Sequence, residues 1–255
     1  FPTRRSSDLA QGAQFHVNTY TFDNQRDPQV AMDASGNFVV VWESTGQDGS
    51  SNGIYAQRYN SSGVVQGSEF RVNSTTTYDQ LEPAVAMDAS GNFVIAWQSW
   101  SQDLANSNGI YAQRYNSSGV AQGGEFLVNT YITDSQTEPS VAMDASGNFV
   151  IAWQSFGQDG SNEGIYAKRY NSSGVAQGSE FHVSTYTTSN QDLPVVAMDT
   201  SGNFVIVWES AQDGSGNGIY GQRYNSSGVA QGGEFQINTT TTNQQQNPVV
   251  TMLAG

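Results

Sequence analysis

The chain has 255 residues, with nine Lys or Arg against 23 Asp or Glu, a formal net charge of −14 and no cysteine. This balance argues against nucleic-acid binding, which needs clustered basic side chains, and the lack of cysteine excludes disulfides and thiolate metal sites. No apolar run reaches the roughly 18 residues of a membrane span, so membrane insertion is not expected.

The first nine residues read FPTRRSSDL and match neither the rest of the chain nor a signal peptide. They resemble the translation of a short-read sequencing adapter. We therefore predict that 1–9 is an artefactual segment of a metagenomic sequence, and that 10–255 is a single repeat domain, truncated at its end.

The rest of the chain is built from near-identical units, and such internal repeats decide the architecture. A proline recurs every 54 to 56 residues, at Pro28, Pro83, Pro139, Pro194 and Pro248. A tryptophan follows the first four of these prolines, at Trp42, Trp97, Trp153 and Trp208. These tryptophans and the Phe four positions before each are the predicted core.

In the third unit, short apolar runs predict strands over 141–144, 149–155, 164–171 and 175–184. Gly147 supplies the positive φ of a tight turn after the first strand, and Asp144 caps that turn. The second strand is apolar on both faces, which indicates that it lies between two neighbouring sheets. No helical period occurs in the unit.

Four antiparallel strands repeated in this way predict an all-β, β-propeller-like array. The complete blades are expected at about 28–73, 83–129, 139–184 and 194–238, with partial blade strands at both ends. The run VAMDASGNFVIAW also resembles the first two strands of NHL-type propeller repeats, and whole units resemble repeats of large secreted bacterial surface proteins. An open β-solenoid or a chain of small sandwiches is the alternative architecture.

The loop between the second and third strands is the first candidate site, because its oxygen donors alternate as in the first half of an EF-hand calcium loop. The predicted metal ligands are Asp48, Ser50 and Asn52 in the first unit, Asp159, Ser161 and Glu163 in the third, and Asp213, Ser215 and Asn217 in the fourth. The bidentate acid that should close such a loop is missing, so an ordinary polar turn is the alternative. Calcium is the only cofactor that the sequence suggests.

Aromatic residues in the same loop form a second candidate. Trp100 and Phe156 stand where other units have Thr45 or Ala211. Exposed rings beside polar side chains suit stacking on sugars, so a carbohydrate, or a protein, is the expected partner at the blade loops. A ring folded back onto the blade edge is the alternative.

Catalysis is argued against by the repeat itself. The recurring acids, of which Asp144 and Glu180 are the third copies, occur once in every unit, so nothing is expected to separate their pKa values. They are interpreted as turn caps and as partners of the recurring arginines such as Arg169. His16 and His182 occupy one variable position, interpreted as solvent-facing, and a Ser-His-Asp triad is not expected.

The resulting prediction is a non-enzymatic, multivalent binding or spacer module of a secreted or cell-surface bacterial protein. A glycan-binding, lectin-like propeller is the second hypothesis. A glycan-processing hydrolase or lyase is the third.

Overall fold

A computed structural model describes residues 13–252 of the chain. They form sixteen strands in four four-stranded antiparallel sheets, and each sheet is made of four consecutive strands. Blade 1 contains β1 (Gln25–Met32), β2 (Phe38–Thr45), β3 (Asn52–Tyr59) and β4 (Phe70–Arg71). Blade 2 contains β5 (Gln80–Met87), β6 (Phe93–Trp100), β7 (Asn108–Tyr115) and β8 (Phe126–Leu127). Blade 3 contains β9 (Gln136–Met143), β10 (Phe149–Phe156), β11 (Glu163–Tyr170) and β12 (Phe181–His182), and blade 4 contains β13 (Gln191–Met198), β14 (Phe204–Ser210), β15 (Gly218–Tyr224) and β16 (Phe235–Gln236). The predicted all-β array of four-stranded blades is confirmed, while the segment 1–9 lies outside the described residues.

The first and fourth strands differ in length from the prediction. The first strand of blade 3 begins at Gln136, ahead of its proline, because a bulge lets the strand pass the missing N–H of Pro139. The fourth strand is only two residues long. The glycine-rich segment before it turns away from the sheet at Gly178, which has a φ of 98°.

The turn between the first two strands forms as the sequence predicts. The Asp144 Oδ1 atom accepts hydrogen bonds from the amides of Ser146 and Asn148 at 2.8 and 2.9 Å. Its Oδ2 atom accepts a third from the Asn148 side chain at 2.7 Å, and Gly147 has a φ of 83°. Asp144 thus accepts the hydrogen bonds of the turn's free amides, and Gly147 adopts the positive φ that glycine tolerates best.

The core lies between the sheets. The side chains of Trp97, Trp153 and Trp208 are fully buried. Each hydrophobic cluster joins two adjacent blades, and in the cluster between blades 3 and 4, Val150 of β10 packs with Trp208 of β14. The second strands of blades 2 and 3, β6 and β10, are thus covered on both faces, as their uninterrupted apolar sequence predicts.

Hydrogen bonds from polar residues also join successive blades. The Glu125 Oε2 atom accepts from the Ser74 amide of the preceding connection at 2.6 Å. The Arg58 guanidinium donates to the Ser117 carbonyl of the next blade at 2.7 Å. The predicted pairing of the recurring glutamates with the recurring arginines is therefore wrong for Glu125 and Arg58, because each of these side chains bonds to backbone outside its own blade instead.

The first strand of each blade is the inner one. β1 contacts β5, β5 contacts β9, and β9 contacts β13. Residues at the same position of these four strands therefore meet around a common axis, although they are about 55 residues apart in sequence.

Candidate active site

Each inner strand has an irregular position directly before its proline. The residues there are Asp27, Glu82, Glu138, Leu193 and, in the segment after blade 4, Asn247, and their φ angles lie between 51° and 56°. In the four inner strands the pairing register shifts at this point. A left-handed conformation costs a non-glycine residue about 1–3 kcal/mol, and residues before proline normally avoid helical angles. Strained bulges of this kind re-aim side chains, and they are frequent beside active sites.

In blades 2, 3 and 4 the preceding blade holds the bulge in place. The Glu82 amide donates to Glu43 Oε1 at 2.7 Å, and the Leu193 amide donates to Gln154 Oε1 at 3.1 Å. The Glu138 amide is bonded to Gln98 in the same way, at 3.1 Å. The residues before the prolines of blades 2, 3 and 4 are therefore positioned by the second strand of the preceding blade.

Three carboxylates converge where blades 1 and 2 meet at the axis. One oxygen from each of Asp27, Glu43 and Glu82 lies within 4.8 Å of the other two. Glu43 is almost fully buried and accepts a hydrogen bond from Arg26 Nε at 2.7 Å. Asp27 is half exposed and lies 3.6 Å from the same nitrogen. One buried acid is thus neutralised by an arginine, while a second remains open to solvent.

The axial acids have unequal proton affinities. Burial raises the pKa of Glu82 to about 7, and the charges of Glu138, Glu43 and Asp27 add to the rise against the opposing effect of Arg26. Burial, followed by the charge of Asp27, also raises the pKa of Glu138. The sequence-based interpretation concerned the acids that recur in every unit, such as Asp144 and Glu180, and it did not consider these axial acids.

The acidic group extends towards blade 4. Burial raises the pKa of Asp192 to about 6, with further contributions from Glu163, Glu209 and Glu138. Beside it, a cavity of about 220 Å³ is lined by Glu138, Leu193 and Asn247 together with three axial prolines and two valines. The axis therefore combines several acids of raised pKa with a cavity whose lining is mainly apolar.

Sequence reasoning missed these residues, although a signal was present. The position before the recurring proline reads Asp, Glu, Glu, Leu and Asn in successive copies, whereas most of the unit is nearly invariant. A site that every unit repeats needs the same residue in each unit. A single site built from several units can use a different residue from each, so variation at one position is its signal.

The predicted calcium loops adopt compact turns. In each, the first aspartate accepts from the amide two residues later, as Asp159 does from Ser161 at 3.0 Å. Its other oxygen faces the glycine that opens the third strand, and a Cβ at Gly164 would lie 2.9 Å from Asp159 Oδ2. The calcium set stays a prediction, since the hydrogen bonds also suit the plain turn.

The variable position in the fourth strand faces this loop aspartate. His182 Nε2 lies 3.7 Å from Asp159 Oδ2 and 3.0 Å from Ser184 Oγ. Gln236 donates to Asp213 at 3.2 Å in blade 4. The interpretation of this position as facing only solvent is therefore incomplete, because the side chains of His182 and Gln236 also contact residues of their own blade. A relay triad is not formed, because Ser184 and Asp159 approach the same nitrogen of the histidine.

The two aromatic candidates are the last residues of strands, not loop residues. Trp100 pairs with Asn108 across the sheet, and Phe156 pairs with Glu163. Phe156 is 44% exposed. They lie at the opposite end of β6 and β10 from the first hairpin turns, and a role in ligand binding stays a prediction.

The axial acids predict how stability depends on pH. A carboxyl group whose folded-state pKa is raised favours folding in its protonated form, so its contribution is lost as the pH rises from the unfolded value to the folded one. For Glu82 this window runs from 4.5 to about 7. We expect a higher melting temperature at pH 5 than at pH 8, and a smaller difference in the variant Glu82→Gln. A melting temperature that is equal at both pH values, or higher at pH 8, would contradict the axial placement of these acids.

Solved structures share this fold at low sequence identity. The α-L-arabinanase of Penicillium chrysogenum, complexed with arabinobiose, is 15% identical, with 89% of this chain and 70% of that chain covered at a TM-score of 0.57. The GH93 α-L-arabinofuranosidase of Fusarium graminearum, also with arabinobiose, is 13% identical, with 82% and 65% covered at a TM-score of 0.54. A thermostable family-43 glycoside hydrolase is 12% identical, with 88% and 77% covered at a TM-score of 0.50. These similarities establish the propeller fold.

No protein-family model and no curated protein sequence matches the chain. The NHL-like resemblance therefore has no support beyond the strand-turn-strand run that suggested it. No helix among residues 13–252 is long and apolar enough to cross a membrane.

The prediction of a non-enzymatic binding or spacer module is corrected by these comparisons, since these three solved structures, which align over most of the chain, are glycoside hydrolases. The argument from near-identical copies failed for a physical reason. The axis combines one residue from each blade, and those residues differ between blades.

Proposed function

We propose that this chain is a glycan-processing hydrolase whose active site is the axial end of the propeller, centred on Glu82 and Asp27. The observation that carries the proposal is the pairing of a half-buried carboxyl group, with a pKa of about 7, and a solvent-exposed carboxylate within 4.8 Å of it. Glycoside hydrolysis uses two carboxyl groups whose environments differ in this way.

In this reaction Glu82 is the general acid. A substantial fraction of its carboxyl group is protonated at neutral pH, so it can donate a proton to the leaving oxygen as the glycosidic C–O bond breaks. Asp27 is the second carboxylate and acts as the nucleophile that water later displaces, because an oxygen of Asp27 lies within 4.8 Å of one of Glu82 and a water-activating base needs a wider separation of roughly 6.5–9.5 Å. In this route one water is consumed and both acids return to their starting protonation states.

Arg26 and Glu43 are positioning residues. Glu43 fixes the Glu82 backbone through the amide hydrogen bond and holds the Arg26 guanidinium on its other oxygen. Arg26 therefore stays beside Asp27, with its Nε atom 3.6 Å from Asp27 Oδ2.

The charge of the site indicates a neutral substrate. The charges of Asp27, Glu43 and Glu138 raise the pKa of Glu82, and the same negative charge repels anionic glycans. Two enzymes of the same fold were crystallised with arabinobiose. We therefore propose a neutral arabinose-containing glycan as the substrate class, bound at the axis rather than at the blade loops. A polymeric substrate of this kind is met outside the cell, so we also propose that the protein is secreted.

The test is hydrolysis of arabinan and of arabino-oligosaccharides by the purified chain. Released reducing sugar and product size are measured between pH 5 and pH 8. We expect turnover of neutral arabinose-containing substrates and none of polygalacturonate, which is anionic. Absence of turnover on every neutral glycan, with the protein shown to be folded by its melting transition, would refute the proposal.

A further inference from the structure

A pocket of the same kind lies between each pair of adjacent blades. Its volume is about 430 Å³ between blades 3 and 4, and about 300 Å³ both between blades 2 and 3 and between blades 1 and 2. Cavities that hold small molecules start at roughly 300 Å³. Each inter-blade pocket is therefore large enough for one small ligand, and the same pocket is built three times.

The pockets lie at the opposite end of the blades from the axial acids. Asp144 and Asn171 line the pocket between blades 3 and 4, and they follow directly after β9 and β11, at the end of the sheet where Phe149 begins β10. Glu138 lies near the other end of β9, six residues before Asp144. At about 3.3 Å per residue in a strand, this separation is too large for one sugar ring to contact both groups. The pockets are therefore distinct from the proposed active site.

Both blades contribute side chains to each pocket. Between blades 3 and 4, Arg169 and Asn171 come from blade 3, whereas Met198 and Ser226 come from blade 4. The equivalent residues between blades 2 and 3 are Arg114, Asn116, Met143 and Ser172. Those between blades 1 and 2 include Arg58, Met87 and Ser117. Each pocket therefore forms only where one blade follows another.

An arginine supplies charged donors in each pocket. The Arg58 guanidinium donates a hydrogen bond to the Ser117 carbonyl at 2.7 Å, and Arg114 donates to the Ser173 carbonyl. Within residues 13–252, no acidic side chain lies within 4.0 Å of Arg58, Arg114 or Arg169. Burial lowers the pKa of all three, so water is partly excluded from them. Since a guanidinium has five N–H donors, most of them remain for a ligand.

The other polar groups leave the pocket without a net charge. Asp144 is only 6% exposed, and its two oxygens already accept the three hydrogen bonds of the turn. Its negative charge balances the positive charge of Arg169. Ser226 and Ser227 also line the pocket, and a serine hydroxyl both donates and accepts. Because the whole chain carries a charge of −14, a neutral ligand is favoured over an anionic one.

The pocket also has an apolar lining. Phe149, Phe204 and Met198 contribute to it between blades 3 and 4. Met198 is partly buried there, whereas Met32, at the same position in the first described blade, is 59% exposed. A ligand in the pocket therefore meets apolar surface and hydrogen-bonding groups together.

We infer that the three inter-blade pockets bind sugar residues of a neutral glycan, in addition to the glycan held at the axis. Guanidinium, amide and hydroxyl groups match the hydroxyls of a sugar ring, and the Phe and Met side chains match its C–H face. Three like pockets suit a polymer of repeating residues, since binding at one raises the effective concentration at the next. The choice of a neutral glycan rests on the proposed function, whereas the pockets do not depend on it.

The test is a titration of the full chain with neutral disaccharides, followed by NMR of the arginine Nε–H groups. Arabinobiose, xylobiose and cellobiose are the probes, and the chain carries Glu82→Gln so that they are not cleaved. We expect at least one probe to shift the signals of Arg58, Arg114 and Arg169 together, with similar Kd values. Arg223 is the matched control, because it has the same place in the repeat but is exposed in the last described blade. Its signal is expected not to move.

A second measurement uses binding to the polymer. The triple variant Arg58→Gln, Arg114→Gln and Arg169→Gln is expected to lose at least about tenfold in retention on immobilised arabinan, because linked sites reinforce one another. Arg223→Gln is expected to be retained like the chain with Arg223. A melting transition shows that each variant is folded, and the titration decides if the triple variant is not.

Three results would overturn the inference. One is that no neutral probe shifts the three arginine signals, or that Arg223 shifts as much as they do. Another is that only digalacturonate, an anionic disaccharide, shifts them. The third is equal retention of the folded triple variant and Arg223→Gln. Shifts without turnover by the wild-type chain would refute only the proposed function, and turnover without shifts would refute only the inter-blade sites.

Discussion

Replacing Glu82 by glutamine is expected to lower kcat for hydrolysis of an arabino-oligosaccharide by about 100-fold or more, the usual contribution of a general acid. The amide keeps the size of the side chain and cannot protonate the leaving oxygen. Since the pKa of Glu82 is about 7, the wild-type rate should also decline as the pH rises through that value. The measurement is kcat against pH for both proteins. In the variant, the decline of kcat near pH 7 should be absent.

The matched control is Asp134→Asn, which makes the same kind of change at a carboxylate outside the axial group. Its side chain accepts only a long hydrogen bond from Tyr131, at 3.4 Å. We expect its kcat and pH profile to match the wild type. If Glu82→Gln keeps the wild-type kcat and the same decline of kcat near pH 7, Glu82 is not the general acid.

Replacing Trp153 by alanine is expected to reduce the free energy of unfolding by about 3–5 kcal/mol, the usual loss for a large buried side chain. Trp153 is fully buried in the cluster that blades 2 and 3 share, so its removal opens a cavity in an inter-blade interface. Urea denaturation followed by circular dichroism measures the change.

Trp100→Ala provides the comparison, because it removes the same side chain at the end of a strand, where Trp100 is partly exposed. We expect a loss of less than about 1 kcal/mol. Similar losses in the two variants would mean that the inter-blade packing does not dominate stability.

Much of the architecture could be predicted because it is local. The Asp144 and Gly147 turn is set by side-chain bonds within five residues, and the apolar run through Trp153 is typical of a strand covered on both faces. Because the unit is repeated, the same local structure forms in all four blades. The short fourth strands were harder to predict, because Gly178 and its equivalents interrupt an apparently extended pattern.

The site could not be predicted in the same way. Asp27, Glu82 and Glu138 are each unremarkable within their own unit, and about 55 residues separate each from the next. Their shared environment exists only because the inner strands contact one another around the axis. A pKa is set by neighbours in space and by burial, so the value for Glu82 depends on residues from three blades.

The sequence by itself determined the repeat, its four-strand unit, its turns and its buried tryptophans, because each depends on residues that are close along the chain. Only the tertiary structure decided where the copies meet and which of their differences matter. Packing sheet against sheet brought one variable residue from each unit to the axis. At the axis near-identical units stop being equivalent, and the proposed active site rests on that difference.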